Sequence, residues 1–167
     1  MTAMDMQVEA AAGQAWLEEL RDLGVEASAE PLLSEAGEAA LAGQMQSAMD
    51  AGDYQAALEP GWLLAYADPW NRDHAMAFAL CLQHVGDWAS ACRFYSIVLM
   101  LDATDAYCAF RIGECLAALG ELADARAAFE SAVELSWADE AFSEVRAVAL
   151  HRIDAALGEE PSAWIAE

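Results

Sequence analysis

The apolar residues of this chain recur at three- and four-residue intervals, and the pattern they make is itself repeated. Near the front, Val8, Ala12, Ala15, Trp16, Leu20 and Leu23 share one face of an expected helix ending at Gly24. Residues 25–37, with Pro31, read as a linker. From there three segments, 38–71, 72–105 and 106–139, superpose without an insertion. The phrases GDYQAAL, GDWASAC and GELADAR open at Gly52, Gly86 and Gly120, position 15 of each segment. Position 8 holds Met45, Ala79 and Gly113, and position 17 holds Tyr54, Trp88 and Leu122. Position 20 is alanine throughout (Ala57, Ala91, Ala125), and position 24 holds Gly61, Tyr95 and Phe129. Residues 140–157 place Phe142, Val145, Val148 or Ala149, and Ile153 on one helical stripe, stopped by Gly158 and Pro161.

This spacing predicts a helix pair in each segment. About fourteen residues make a helix of four turns. Glycine then ends it, because it enters the left-handed region without steric cost. The acid that follows (Asp53, Asp87, Glu121) accepts hydrogen bonds from the free amides of the next helix. Small residues at positions 8 and 20 let the two helices approach, and the larger residue at 24 fills the space beside them. One such pair cannot bury its apolar face alone, so the pairs must stack. The expected fold is all-α: a short α-solenoid of three repeats at 38–139. An N-terminal helix and linker (1–37), a C-terminal capping helix (140–158) and a tail (159–167) flank it.

Composition narrows the function. Twenty-nine acidic residues face seven arginines, for a net charge of −22. Nucleic-acid and anionic-membrane partners, which need basic patches, are therefore not expected. No uninterrupted apolar run reaches the length of a membrane span, and the N-terminus does not read as a secretory signal. Cys81, Cys92, Cys108 and Cys115 lack metal-ligand spacing and read as reduced core thiols of a cytosolic protein. His74, His84 and His151 are dispersed, and no phosphate-cradling glycine loop occurs. Neither an enzyme nor a cofactor is expected.

The pattern small at 8, glycine at 15, aromatic at 17, alanine at 20, aromatic at 24 and small at 27 resembles the tetratricopeptide repeat. The third segment fits it best, with Gly113, Gly120, Ala125, Phe129 and Ala132, and the first least, with Met45 and Gly61. The stretch FYSIVLMLDATDAYCAFRIGECLAALGELADARAAFESAVEL is, more narrowly, similar to the class II chaperones of type III secretion. Tyr95 and Ser96 match a Tyr-Ser pair of that family, and Gly113, Glu114, Cys115, Leu116, Gly120, Glu121 and Leu122 match its ECL…GEL phrase. The stretch PGWLLAYADPW in the first segment departs from it.

The resemblance implies a bacterial cytoplasmic chaperone. Such a protein holds an extended hydrophobic segment of a secreted translocator in a concave groove until export. It places Ala42, Gln46 and Met49 of the first repeat along the groove. Asp73, Met76, Leu80, Gln83 and His84 follow from the second, and Tyr107, Phe110, Glu114 and Ala117 from the third. The apolar members would offer adaptable contact area. Gln46, Gln83 and Glu114 could bond a peptide backbone, and His84 could make binding sensitive to mild acid. Trp16, Leu17, Leu20 and Leu23 form a patch that packs on the first repeat or joins two copies in a homodimer. The alternatives are a general repeat adaptor joining cytosolic proteins, and a co-chaperone of a secretion needle subunit.

Overall fold

In the computed structural model of the protein, the described residues are 32–156. The expected N-terminal helix with Trp16, Leu17, Leu20 and Leu23 lies outside them, as does the tail from residue 157. Seven α-helices occupy the described residues: α1 (Glu35–Asp50), α2 (Tyr54–Ala67), α3 (Arg72–His84), α4 (Trp88–Leu101), α5 (Ala106–Ala118), α6 (Leu122–Ser136) and α7 (Ser143–Ala156). No strand occurs among them. Each helix packs chiefly on its neighbours in sequence, and α7 also reaches α5. This is the helix-pair stack of a tetratricopeptide-repeat solenoid, with pairs α1–α2, α3–α4 and α5–α6.

The hinge inside each pair is the same device used three times. Gly52, Gly86 and Gly120 have φ of 73°, 84° and 82°. The amide of each glycine bonds back to Met49, Gln83 or Ala117. The following amide reaches a carbonyl five residues back: Asp53 to Ala48, Asp87 to Leu82 and Glu121 to Leu116, each at 2.9 Å. This Schellman closure satisfies the last carbonyls of the first helix. The next acid then begins the second helix. Asp53 Oδ1 accepts from the Ala56 amide (3.0 Å) and Asp87 Oδ1 from that of Ser90 (3.1 Å). Glu121 makes no such bond, since its extra methylene carries the carboxylate past the amides.

Two boundaries differ from expectation. Helix α1 starts inside the supposed linker, at Glu35, because Ser34 Oγ accepts from the Gly37 amide (3.2 Å) and caps it there. The closing helix does not begin at residue 140. A 3-10 turn, Glu140–Phe142, comes first, and α7 follows from Ser143.

The core lies in three layers, each completed by the helix that follows its pair. Met45, Ala57 and Leu64 of the first pair take Cys81 from α3. Phe78, Ala79, Leu82, Ala91, Tyr95 and Val98 take Cys108 and Cys115 from α5. Phe110, Ala125, Phe129 and Ala132 take Ala149 from α7. The two cysteines at repeat position 10, Cys81 and Cys115, are thus plugs between repeats. Burial pushes the Cys81 thiol up to about 11 and that of Cys115 to about 12.

The poor match of the first repeat has a steric explanation. In the second and third pairs a small residue at position 8 faces an aromatic ring at position 24: Ala79 with Tyr95, and Gly113 with Phe129. The first pair inverts the sizes, with Met45 at position 8 and Gly61 at 24. A Cβ placed on Gly61 would lie 2.9 Å from Phe78 Cδ2 and 3.2 Å from Met45 Sδ. The volume a ring would occupy is therefore filled from two sides, by Met45 and by Phe78 of the next repeat. At Gly113 a Cβ would meet the Phe129 ring at 2.6 Å, so that glycine is required for close approach.

Candidate functional site

The first helices of the pairs, α1, α3 and α5, carry all twelve expected groove residues. Their environments divide into three groups. Ala42, Met49, Met76, Leu80, Tyr107 and Glu114 are half-buried. Met49 rests on the first core layer and Met76 on the second. Gln46, Asp73 and His84 are exposed. Gln46 Nε2 bonds Asp50 Oδ1 one turn on (2.8 Å), and Asp73 pairs with Arg72 (3.3 Å).

The third group departs from the expected exposure. Phe110 is buried, its ring centroid 5.4 Å from that of Phe129. The cause is Gly113, one turn further along α5: lacking a side chain, it admits the Phe129 ring against the helix, and Phe110 closes over it. Ala117 is buried in the same layer. Gln83 is buried as well, and its amide is spent on internal bonds. The accessible apolar strip is therefore made by Met49, Met76, Leu80 and Tyr107, with Ala42 beside them.

Polar side chains link the second and third repeats along this face. The Tyr95 hydroxyl, fully buried on α4, donates to Gln83 Oε1 (2.8 Å). Gln83 Nε2 donates to Glu114 Oε2 (3.0 Å), and Arg111 Nη1 donates to the same oxygen (2.8 Å). Arg111 Nη2 donates to the Tyr107 hydroxyl, and its guanidinium lies over the Tyr107 ring, 4.7 Å from the centroid. Burial of Arg111 opposes its charge, but Glu114 and Tyr107 more than offset that, and its pKa lies above the usual arginine value. Burial raises the Tyr95 phenol far above its ordinary range. Both groups therefore hold a fixed protonation state at any ordinary pH. Sequence reasoning missed Arg111 and the linking role of Tyr95. The available signal was the spacing of Tyr107, Arg111 and Glu114, which puts all three on one face of α5.

His84, in the last turn of α3, stacks on Tyr54 of the first repeat, with centroids 3.8 Å apart and planes at 4°. Desolvation, with a further contribution from the positive charge of Arg111, holds its pKa below the usual histidine value. The stacked ring is thus neutral near pH 7. A further tie, within the second segment, joins the base of α3 to the start of α5. The Arg72 guanidinium pairs with buried Asp105 and sits 3.6 Å from Asp102, and Asp105 Oδ1 caps α5 through the Cys108 amide (3.0 Å). No group of three or more potential metal ligands occurs among the described residues.

These residues form a candidate binding face on the first helices of the pairs. Residues 50–132 match the family model described as anaphase-promoting complex, cyclosome, subunit 3. No curated protein matches the chain in sequence. Among solved structures, PcrH of Pseudomonas aeruginosa in complex with the chaperone binding region of PopD is 25% identical, with a TM-score of 0.70 over 75% of this chain and 95% of that one. A type III secretion complex from Aeromonas hydrophila is 25% identical, with a TM-score of 0.68 over 84% of this chain and 87% of that one. The Yersinia enterocolitica type III secretion chaperone SycD, in complex with a peptide of the translocator YopD, is 24% identical, with a TM-score of 0.69 over 74% and 94%. The described helices form a tetratricopeptide-repeat fold. It is the fold of the type III secretion translocator chaperones.

Proposed function

We propose that this protein is a cytoplasmic chaperone of type III secretion. Its first-helix face holds an extended hydrophobic segment of a translocator protein and keeps that protein soluble before export. The observation that carries the reading is the fold match to PcrH, a protein seen with the chaperone binding region of PopD, at near-complete coverage of that chain. The half-buried strip of Met49, Met76, Leu80 and Tyr107 supports it, because Met49 and Met76 rest on the core and all four keep surface to offer. Methionine and tyrosine suit a partner of irregular shape. On this face His84 is stacked on Tyr54 and Glu114 is tied to Arg111, as suits contact with a partner. Among the described residues no helix is long and apolar enough to cross a membrane.

The test is co-expression with a candidate translocator. The wild-type protein should hold it in the soluble fraction and co-purify with it. Met76→Asp with Leu80→Asp should leave the client insoluble while circular dichroism shows undiminished helicity. Retention of the client by that double variant would place the binding face elsewhere. A folded partner that is stable alone would instead favour a general adaptor.

A further inference from the structure

The polar side chains on the floor are more ordered than a nonspecific greasy surface needs. Three helices contribute to one hydrogen-bonded line: Tyr95 from α4, Gln83 from α3, and Glu114, Arg111 and Tyr107 from α5. The direction of the line is fixed at its buried end. The Tyr95 hydroxyl is fully buried and needs an acceptor, so it holds Gln83 Oε1, and the Gln83 amide must then point Nε2 at Glu114. Arg111 and Gln83 both converge on Glu114 Oε2. That leaves Oε1 of a side chain 21% exposed as a preorganised acceptor, held still before any partner arrives.

We infer that Glu114 is a specificity-determining residue of the binding face: it receives an arginine or lysine side chain of the bound segment, and Tyr95 and Gln83 are the positioning residues that aim it. The inference rests on the chaperone reading and adds the chemistry of the guest. Charge favours a cation. The first helices carry exposed Asp50 and Asp73 besides Glu114, and the arginines of α3 and α5 are both engaged by carboxylates, Arg72 by Asp105 and Asp73 and Arg111 by Glu114. Leu80 and Glu114 occupy position 9 of successive repeats. Neighbouring packed helices lie about 8–10 Å apart, a distance that an extended chain advancing about 3.3 Å per residue crosses in roughly three residues. A fitting segment therefore has an apolar side chain on Leu80 and a basic one about three residues away.

The test uses fluorescein-labelled ten-residue peptides of alanine and serine. Each carries two leucines and one arginine, moved from one to five residues beyond the second leucine, and binding is followed by fluorescence polarisation at fixed salt. The wild-type protein should bind best at a spacing of about three, by at least fivefold over the poorest spacing. Glu114→Gln should keep leucine-dependent binding and lose the spacing preference. Tyr95→Phe should flatten it too, while its far-ultraviolet spectrum stays that of the wild type. If the peptides bind and Met76→Asp with Leu80→Asp abolishes that binding, but Glu114→Gln and Tyr95→Phe keep the wild-type preference, this inference falls and the groove stands. An absence of any spacing preference in the wild type also overturns it. If the Met76 and Leu80 changes leave binding untouched, the groove reading falls with it.

Discussion

At the scale of single residues, the tightest constraint is Gly113. Its hypothetical Cβ would lie 2.6–2.7 Å from two atoms of the Phe129 ring, and that ring is fully buried. Gly113→Ala should destabilise the protein by about 1–3 kcal/mol, the usual range for overpacking, read as a lower urea midpoint. The thiols give a second expectation. Cys108 is pushed up to about 12 by burial, with the Asp105 charge adding to it, and its Sγ donates to the Tyr95 carbonyl (3.1 Å). Cys81 stands at about 11 and Cys115 at about 12. At pH 8 roughly a thousandth or less of each is thiolate, the reactive form. Iodoacetamide followed by mass spectrometry should therefore label half-buried Cys92 first in the native protein, and all four at similar rates in denaturant. Early labelling of Cys81 would show that the seam between the first two repeats opens readily. The core role of Cys81 and Cys115 was legible in the sequence from their shared repeat position. The burial of Phe110 was not, because it depends on which ring the absent side chain of Gly113 lets in.

At the scale of elements, the glycine hinge of each helix pair followed from the sequence spacing, and so did the acidic caps Asp53 and Asp87, whereas Glu121 does not make the expected bond. The cap of α6 is the imperfect copy. Glu121→Asp should supply the bond that Asp53 and Asp87 make and raise stability by about 0.5–1 kcal/mol; an unchanged midpoint would mean that water already serves those amides as well. The size inversion in the first pair was visible as a mismatch, yet its resolution needed coordinates, because the compensating residue, Phe78, belongs to the next repeat. The contact can be measured as a coupling. Gly61→Ala alone should cost about 1–3 kcal/mol, since its Cβ meets Phe78 at 2.9 Å. In a Phe78→Leu background, where the ring is gone, it should cost distinctly less. Strict additivity across that double-mutant cycle would show that the two residues do not share the space.

At the scale of the molecule, the register of 34 residues made the stack legible, because a fixed period with no insertion has few other physical explanations. The polar line across repeats two and three was hidden, since its members lie 12 and 31 residues apart and meet only after stacking. Charge acts at this scale as well. A net of −22 repels itself in the folded state more than in the expanded chain, where the same charges sit farther apart. The opposing ion pairs are few, and the better-buried ones, Arg72 with Asp105 and Arg111 with Glu114, are screened less than exposed charges. Added salt shortens the screening distance from about 30 Å at 0.01 M to about 8 Å at 0.15 M, so it removes long-range repulsion before it weakens those contacts. The thermal midpoint followed by circular dichroism should rise as sodium chloride goes from 10 to about 150 mM. A falling midpoint would mean that the ion pairs outweigh the repulsion. The same screening should weaken capture of an arginine-bearing segment more than capture of an all-apolar one, so stability and client selectivity should move in opposite directions along one salt series.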